Sequence, residues 1–307
     1  MANRPKIVVT NNQYFTPEQR KRLEVLGDVK YYSELPKDAA EYLERVKGAD
    51  IICSGTAGLQ DAYAELRNVY VTVGFVSVAF VDTKVMKKNG VIISNAPGAN
   101  RHAVTEWILW AMLNLLRKFN TALNRVENYR NDGNLPPLNE SLADKKLVIL
   151  GAGNIGLHVG KLAEAFEMQV SYFKRGGDLH DAVKGADVIV DTLSSNPSTE
   201  KLLDESFFKN LKKGSYFVSV TRAEIADQDA MLQALDSGIL AGVATDCGGA
   251  LVGNTDDPLY QKMIAHPKVL ATPHISWSAT KSLQVGNDIM IDNVAAYLRG
   301  KPQNIVE

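Results

Sequence analysis

Leu147-Val148-Ile149-Leu150-Gly151-Ala152-Gly153-Asn154-Ile155-Gly156 is the stretch whose reading decides the fold. Following Asp144-Lys145-Lys146, the four apolar residues read as a strand buried on both faces. The run meets three glycines in G-x-G-x-x-G register and then a helical pattern from Leu157 to Phe166. Gly151 permits a tight turn, Gly153 lets backbone approach a pyrophosphate, and Gly156 lets the helix pack close to the strand. The helix N-terminus, at Asn154 and Ile155, offers free N–H groups and positive potential to phosphates. A tight strand–helix turn without a ligand has the same glycines. The strand before and the helix after favour a bound dinucleotide.

Working outward, the same alternation continues. Strands are expected at Leu147–Leu150, Gln169–Phe173, Asp187–Asp191, Tyr216–Val220, Gly242–Thr245 and Lys268–Ala271, with helices between them, the clearest at Asp227–Ser237. Six such strands fit a doubly wound, dinucleotide-binding sheet. Upstream, Ile7–Thr10 reads as a first strand. A helix follows in which Thr16 can cap, Pro17 suits the first helical position and Gly27 ends the run. Strands at Lys30–Tyr32, Asp50–Cys53, Tyr70–Val73 and Val91–Ser94 alternate with helices at Asp38–Val46, Asp61–Leu66 and Asp82–Lys88. This pattern implies a second parallel sheet.

Asn95-Ala96-Pro97-Gly98-Ala99-Asn100 reads as a linker. The helix expected at Ala103–Lys118 carries Trp107, Trp110, Met112, Leu113 and Leu115, and is apolar nearly all round. It must be covered on several sides, by its own domains or by a second subunit. Asn120–Ser141 is polar and turn-rich, a loop or an arm. The last helix, about Ala279–Leu298, is long enough to return the chain to the first domain. The expected architecture is therefore α/β, with two doubly wound parallel-sheet domains and a cleft between them. A flavodoxin-like substrate domain takes 1-98 and 283-307, and a Rossmann dinucleotide-binding domain takes 99-282.

Composition bounds the function classes. A net charge of -1 gives no support for nucleic acid or an anionic membrane as partner. No apolar run reaches the ~20 residues of a membrane span, and the start of the chain runs straight into a strand without a leader pattern. The two cysteines, Cys53 and Cys247, lie far apart without metal-ligand spacing. They suit a reducing cytoplasm, and no metal is expected.

The chain resembles the D-isomer-specific 2-hydroxyacid dehydrogenase family. The resemblance is carried by Asn95-Ala96-Pro97-Gly98 with Ala103-Val104-Thr105-Glu106, by the glycine motif, and by Asn196-Pro197-Ser198-Thr199. It continues through Val220-Thr221-Arg222-Ala223 to Thr272-Pro273-His274-Ile275. It implies that Arg222 is the catalytic arginine, forking onto a substrate carboxylate and polarising the keto oxygen. It implies that His274 is the acid/base group. Without the resemblance, Arg222 reads equally as a surface ion-pair partner and His274 as a loop histidine at a strand end. The resemblance also places Gly74 and Phe75 in the loop that holds the substrate carboxylate, with Val76 where the family has a second glycine. Thr221 and Asp246 fall against the cofactor, Asp246 at its nicotinamide end; on spacing alone Asp246 also reads as a helix cap. The family's glutamate, which hydrogen-bonds the histidine, has no counterpart in Asp246–Pro258. Asp257 either replaces it or caps the helix that starts at Pro258.

An NAD-preferring site ends its second strand with an acid; here Phe173 is followed by Lys174-Arg175. Two cations attract a 2′-phosphate, although a solvated basic turn has the same sequence. The expectation is an NADP(H)-preferring, homodimeric 2-oxoacid reductase making a D-2-hydroxyacid. His274-Ile275-Ser276-Trp277 is similar to the H-I-A-W stretch of the family's glyoxylate and hydroxypyruvate reductases, though Trp277 also reads as plain packing. The alternatives are a non-catalytic, redox-sensing dinucleotide-binding scaffold and a phosphite-type dehydrogenase.

Overall fold

The structure is a computed structural model that describes residues 4–118, 139–246 and 253–307. Most of the polar stretch 120–141, Cys247 and the glycine-rich run after it lie outside the described residues. The chain divides into two compact units, one running to Asn100 and including Ser278–Glu307, the other Arg101–Trp277.

In the first unit, β1 (Lys6–Val9), β2 (Asp28–Tyr31), β3 (Ile51–Ser54), β4 (Tyr70–Val73) and β5 (Ile92–Ser94) form an all-parallel sheet in the order β2-β1-β3-β4-β5. The helices α1 (Pro17–Leu26), α2 (Ala39–Val46), α3 (Leu59–Ala62) and α4 (Thr83–Lys88) connect them. β3 and β4 are buried at every position, as a sheet covered on both faces requires. Thr16 accepts a hydrogen bond from the Gln19 N–H, and the Gln19 side chain accepts from the Thr16 N–H, which closes a capping box. Asp38 and Asp82 cap α2 and α4 by accepting from first-turn N–H groups, without the reciprocal bond. The helix expected at Asp61–Leu66 is instead α3 followed by a 3₁₀ turn, Tyr63–Glu65.

The second unit opens with α5 (Arg101–Leu116). β6 (Lys146–Leu150), α6 (Asn154–Ala165), β7 (Gln169–Phe173), α7 (Leu179–Val183), β8 (Val188–Asp191) and α8 (Glu205–Lys209) follow. β9 (Ser215–Ser219), α9 (Gln228–Asp236), β10 (Leu240–Thr245), α10 (Pro258–Ile264) and β11 (Val269–Ala271) complete it. Its six strands are all parallel in the order β11-β10-β9-β8-β6-β7. The chain leaves β6 toward β7 on one side and continues to β8 on the other. The loop after β6 is therefore a topological switch point, where doubly wound sheets bind ligands. The helix α11 (Thr280–Leu298) belongs to the first unit, where it packs on α1 and β4.

α5 starts two residues earlier than its apolar run predicts. Ile108, Ala111, Met112 and Leu116 are buried within its unit, but Trp110 and Leu113 are 45% and 38% exposed. Among the described residues no helix is long and apolar enough to cross a membrane.

Candidate active site

The glycine turn after β6 is held by the protein at two of its three glycines. Gly151 has φ +101°, a conformation that favours glycine, and the Thr192 hydroxyl donates to the carbonyls of Leu150 and Gly151 at 3.1 and 3.0 Å. A Cβ at Gly156 would stand 2.0 Å from the Gly151 carbonyl oxygen, so α6 approaches the turn only because that side chain is absent. Gly153 differs. A Cβ there meets nothing within 4 Å, so its bareness serves no internal packing and leaves the backbone open to an outside group. α6 starts at this point with no side-chain cap, Asn154 is exposed and Ile155 half-buried. Its first N–H groups are therefore available to an anion. A dinucleotide pyrophosphate fits this cradle, and Gly151, Gly153, Asn154, Ile155 and Gly156 would hold it.

One strand away, β7 pairs with β6 so that Phe173 lies opposite Leu150. Lys174 and Arg175 continue from that pair, both exposed, and neither makes an ion pair among the described residues. The next acid, Asp178, caps α7 by accepting from the N–H groups of His180 and Asp181. The turn thus presents two cations with no acidic side chain assigned to them.

Across the sheet, Arg222 follows β9 on a short 3₁₀ turn, Ala223–Ile225. It is exposed and its side chain has no hydrogen bond or ion pair among the described residues, so the surface ion-pair reading finds no partner there. Thr221, beside it, turns inward and donates to Asp191 Oδ2 at 2.6 Å. Asp191 ends β8 at 0% exposure, and burial pushes its carboxyl up to about 6. Burial favours the neutral acid, while the bonds donated by Thr221, Leu193 and Ser219 favour the carboxylate and offset only part of it. Stability is lost as pH rises from the unfolded value of about 3.9 through about 6, by roughly 3 kcal/mol for two pK units. A group kept at such a cost invites a role. Neither Asp191 nor Thr192 stood out in the sequence, although a single acid closing an apolar strand was a readable signal.

His274 follows β11, half-buried, with φ +55°. That uncommon backbone is fixed from several sides. Asp246 Oδ1 accepts from the Thr272 hydroxyl at 2.5 Å and the Ile275 N–H at 2.9 Å, and Oδ2 accepts from the Ser276 N–H at 2.8 Å. The Trp277 indole N–H donates to the His274 carbonyl at 3.1 Å, so Trp277 braces the turn. Asp246, at the exit of β10, is thus a clamp on the histidine turn, neither helix cap nor bystander. Burial and the Arg222 charge lower the His274 pKa, and the Asp246 charge opposes them. Arg222, Asp246 and His274 are therefore electrostatic neighbours. Asp257 caps α10, accepting from Leu259 and Tyr260 N–H at 3.0 Å each.

In the first unit, Gly74 follows β4 and touches α11. A Cβ at Gly286 would lie 2.0 Å from the Gly74 carbonyl oxygen, so this helix glycine is what permits the contact. The Phe75 ring packs on Phe80 with centroids 5.8 Å apart, and its carbonyl accepts from the Ala96 N–H. Val76 is exposed and has no positive φ, so the loop is built without the family's second glycine.

In the second unit, the carboxyl edge of one parallel sheet carries the glycine cradle, Lys174-Arg175, Thr221-Arg222, Asp246 and His274. β7 and β11 are its opposite edges. At about 4.8 Å per strand, the basic turn and the arginine–histidine pair are on the order of 20 Å apart, a span that only an elongated ligand bridges. Gly74 and Phe75 belong to the other unit. Cys53 is buried, and its thiol is pushed up to about 12, out of the range of a reactive thiolate.

A family model described as D-isomer specific 2-hydroxyacid dehydrogenase, NAD binding domain, matches residues 109–276. A D-lactate dehydrogenase of Staphylococcus epidermidis is 27% identical over 226 residues, 66% of this chain and 68% of its own length. A glycerate dehydrogenase of Methylorubrum extorquens is 27% identical over 282 residues, 87% of this chain and 88% of its own. Among solved structures, an acyclic imino acid reductase, Bsp5, in complex with NADPH and D-Arg superposes with a TM-score of 0.81 at 22% identity. It covers 98% of this chain and 100% of its own, and shows a shared fold.

Proposed function

Because the chain belongs to the D-isomer specific 2-hydroxyacid dehydrogenase family, we propose that it reduces a small 2-oxoacid of the glyoxylate or hydroxypyruvate kind to the D-2-hydroxyacid, with NADP(H) preferred over NAD(H). The observation that carries this reading is an exposed Arg222 guanidinium, unpaired among the described residues, on the same sheet edge as the half-buried His274 and the glycine cradle. A bound nicotinamide supplies hydride to the carbonyl carbon. Arg222 forks onto the substrate carboxylate and draws charge toward the keto oxygen. His274 gives that oxygen its proton in reduction and takes one in oxidation. Asp246 holds the histidine turn.

The cofactor preference rests on Lys174 and Arg175. A 2′-phosphate dianion meets two cations there, and no acid bonds a ribose 2′-hydroxyl. Wild type is expected to favour NADPH over NADH by at least tenfold in kcat/KM, about 1.4 kcal/mol. Lys174→Glu should abolish or reverse that ratio by repelling the phosphate. A tenfold preference of the wild type for NADH contradicts the assignment.

The exposed Trp110 and Leu113 on α5 support a homodimer formed through this helix. Light scattering at micromolar concentration should give about twice the chain mass of 33.6 kDa. A monomer mass removes the proposal.

A further inference from the structure

We propose that Asp191 is the positioning residue for Arg222, holding the peptide before the arginine from the neighbouring strand. The inference rests on the reading of Arg222 as the group that binds the substrate carboxylate. Asp191 is fully buried and cannot touch a substrate, yet both of its oxygens are engaged. Oδ1 accepts from the Leu193 N–H at 3.0 Å. Oδ2 accepts from the Ser219 hydroxyl at 3.1 Å and the Thr221 hydroxyl at 2.6 Å. Its carbonyl accepts from the Val220 N–H at 3.3 Å. Four contacts from one residue thus fix the chain on both sides of the β9 exit, up to the residue that precedes Arg222.

One further observation argues that the carboxylate directs the loop rather than filling space. Among the described residues no lysine, arginine or histidine pairs with Asp191, so its burial is not repaid by an ion pair. Packing alone is served as well by an apolar residue of the same size. Past Arg222 the loop has other ties, the Gln228 side chain donating to the Ala223 carbonyl at 3.0 Å and the Lys201 N–H to the Glu224 carbonyl at 2.8 Å, so Asp191 secures the side that leads into the arginine. The adjacent Thr192 locks the glycine turn, so the end of β8 sets both the cradle and the arginine.

The test is Asp191→Asn, close to isosteric, alone and combined with Arg222→Lys, with NADPH and whichever of glyoxylate, hydroxypyruvate and pyruvate the wild type turns over fastest. The expected result is a KM for the oxoacid raised at least about tenfold, with kcat within threefold and KM for NADPH within twofold. In the Arg222→Lys background the same change should add less than twofold, because both act through one contact. Without any ligand, hydrogen exchange at the amides of Thr221 and Arg222 should speed up about tenfold in Asp191→Asn. Ser219→Ala, which leaves the carboxylate in place, should raise KM about threefold and guards against a variant that fails to fold. An unchanged KM and unchanged exchange in either variant overturn the inference, as does a loss that multiplies with Arg222→Lys. If Arg222→Lys itself leaves KM unchanged, the reading of Arg222 fails and this inference falls with it. If Arg222→Lys raises KM while Asp191→Asn does not, only the inference fails.

Discussion

His274→Asn is expected to lower kcat for 2-oxoacid reduction by about 10²–10⁴-fold, the usual worth of a positioned acid/base group. The asparagine amide can hydrogen-bond a keto oxygen but cannot deliver a proton, so KM should move much less than kcat. The turn itself should survive, because Asp246 grips backbone N–H groups at 275 and 276 and leaves the imidazole unengaged. The pH dependence follows from what surrounds the ring. Burial and Arg222 hold the His274 pKa below its ordinary value of 6.5, against the pull of Asp246. Reduction needs the protonated ring, so its kcat/KM should fall as pH rises through a value below 6.5. Oxidation needs the neutral ring and should rise through the same value. A reductive limb centred well above pH 7 contradicts the assignment.

Arg222→Ala should lower kcat/KM for the 2-oxoacid by a factor on the order of 10² or more. Removing one partner of a charged, hydrogen-bonded pair costs about 2–5 kcal/mol. Much of the loss should appear in KM, since the carboxylate is held before and during the reaction. Arg222→Lys restores the charge without the planar fork and should recover only part of it. Stability should barely change, because the side chain is exposed and bonded to nothing among the described residues. Removing the positive charge should also move the reductive pH limb upward, since Arg222 depresses the His274 pKa. A variant with normal kcat/KM but a lower unfolding midpoint returns Arg222 to a structural role.

Local signals carried most of the fold. Thr16 and Pro17 start α1 as their chemistry predicts, Gly27 ends it in extended backbone packed against the Pro5 carbonyl, and Asp38, Asp82 and Asp257 stand at the helix starts that their spacing marks. β6 and its glycine turn were legible because each glycine answers a short-range demand, and the structure separates those demands. Gly151 serves a backbone angle, Gly156 a close approach, and Gly153 only an open space.

The support around the site was not legible, because its contacts join residues far apart in sequence and leave no periodic trace. Asp191 meets Thr221 thirty residues later, and Asp246 meets Ile275 and Ser276 about as far on. Asp246 sits where the family places a cofactor contact, and its two oxygens also hold the turn that carries His274. The positive φ of His274 was not legible either, since the Asp246 bonds that hold the turn come from a residue 28 positions earlier.

The most direct test follows NADPH and NADH oxidation against glyoxylate, hydroxypyruvate, pyruvate and bulkier 2-oxoacids, with chiral analysis of the product. It compares wild type with the Arg222→Ala, His274→Ala double variant. The account predicts NADPH-dependent formation of a D-2-hydroxyacid by wild type and none by the double variant, with cofactor binding retained in both. Tight cofactor binding by wild type with no oxidation by any 2-oxoacid contradicts it, and makes the protein a dinucleotide-binding scaffold.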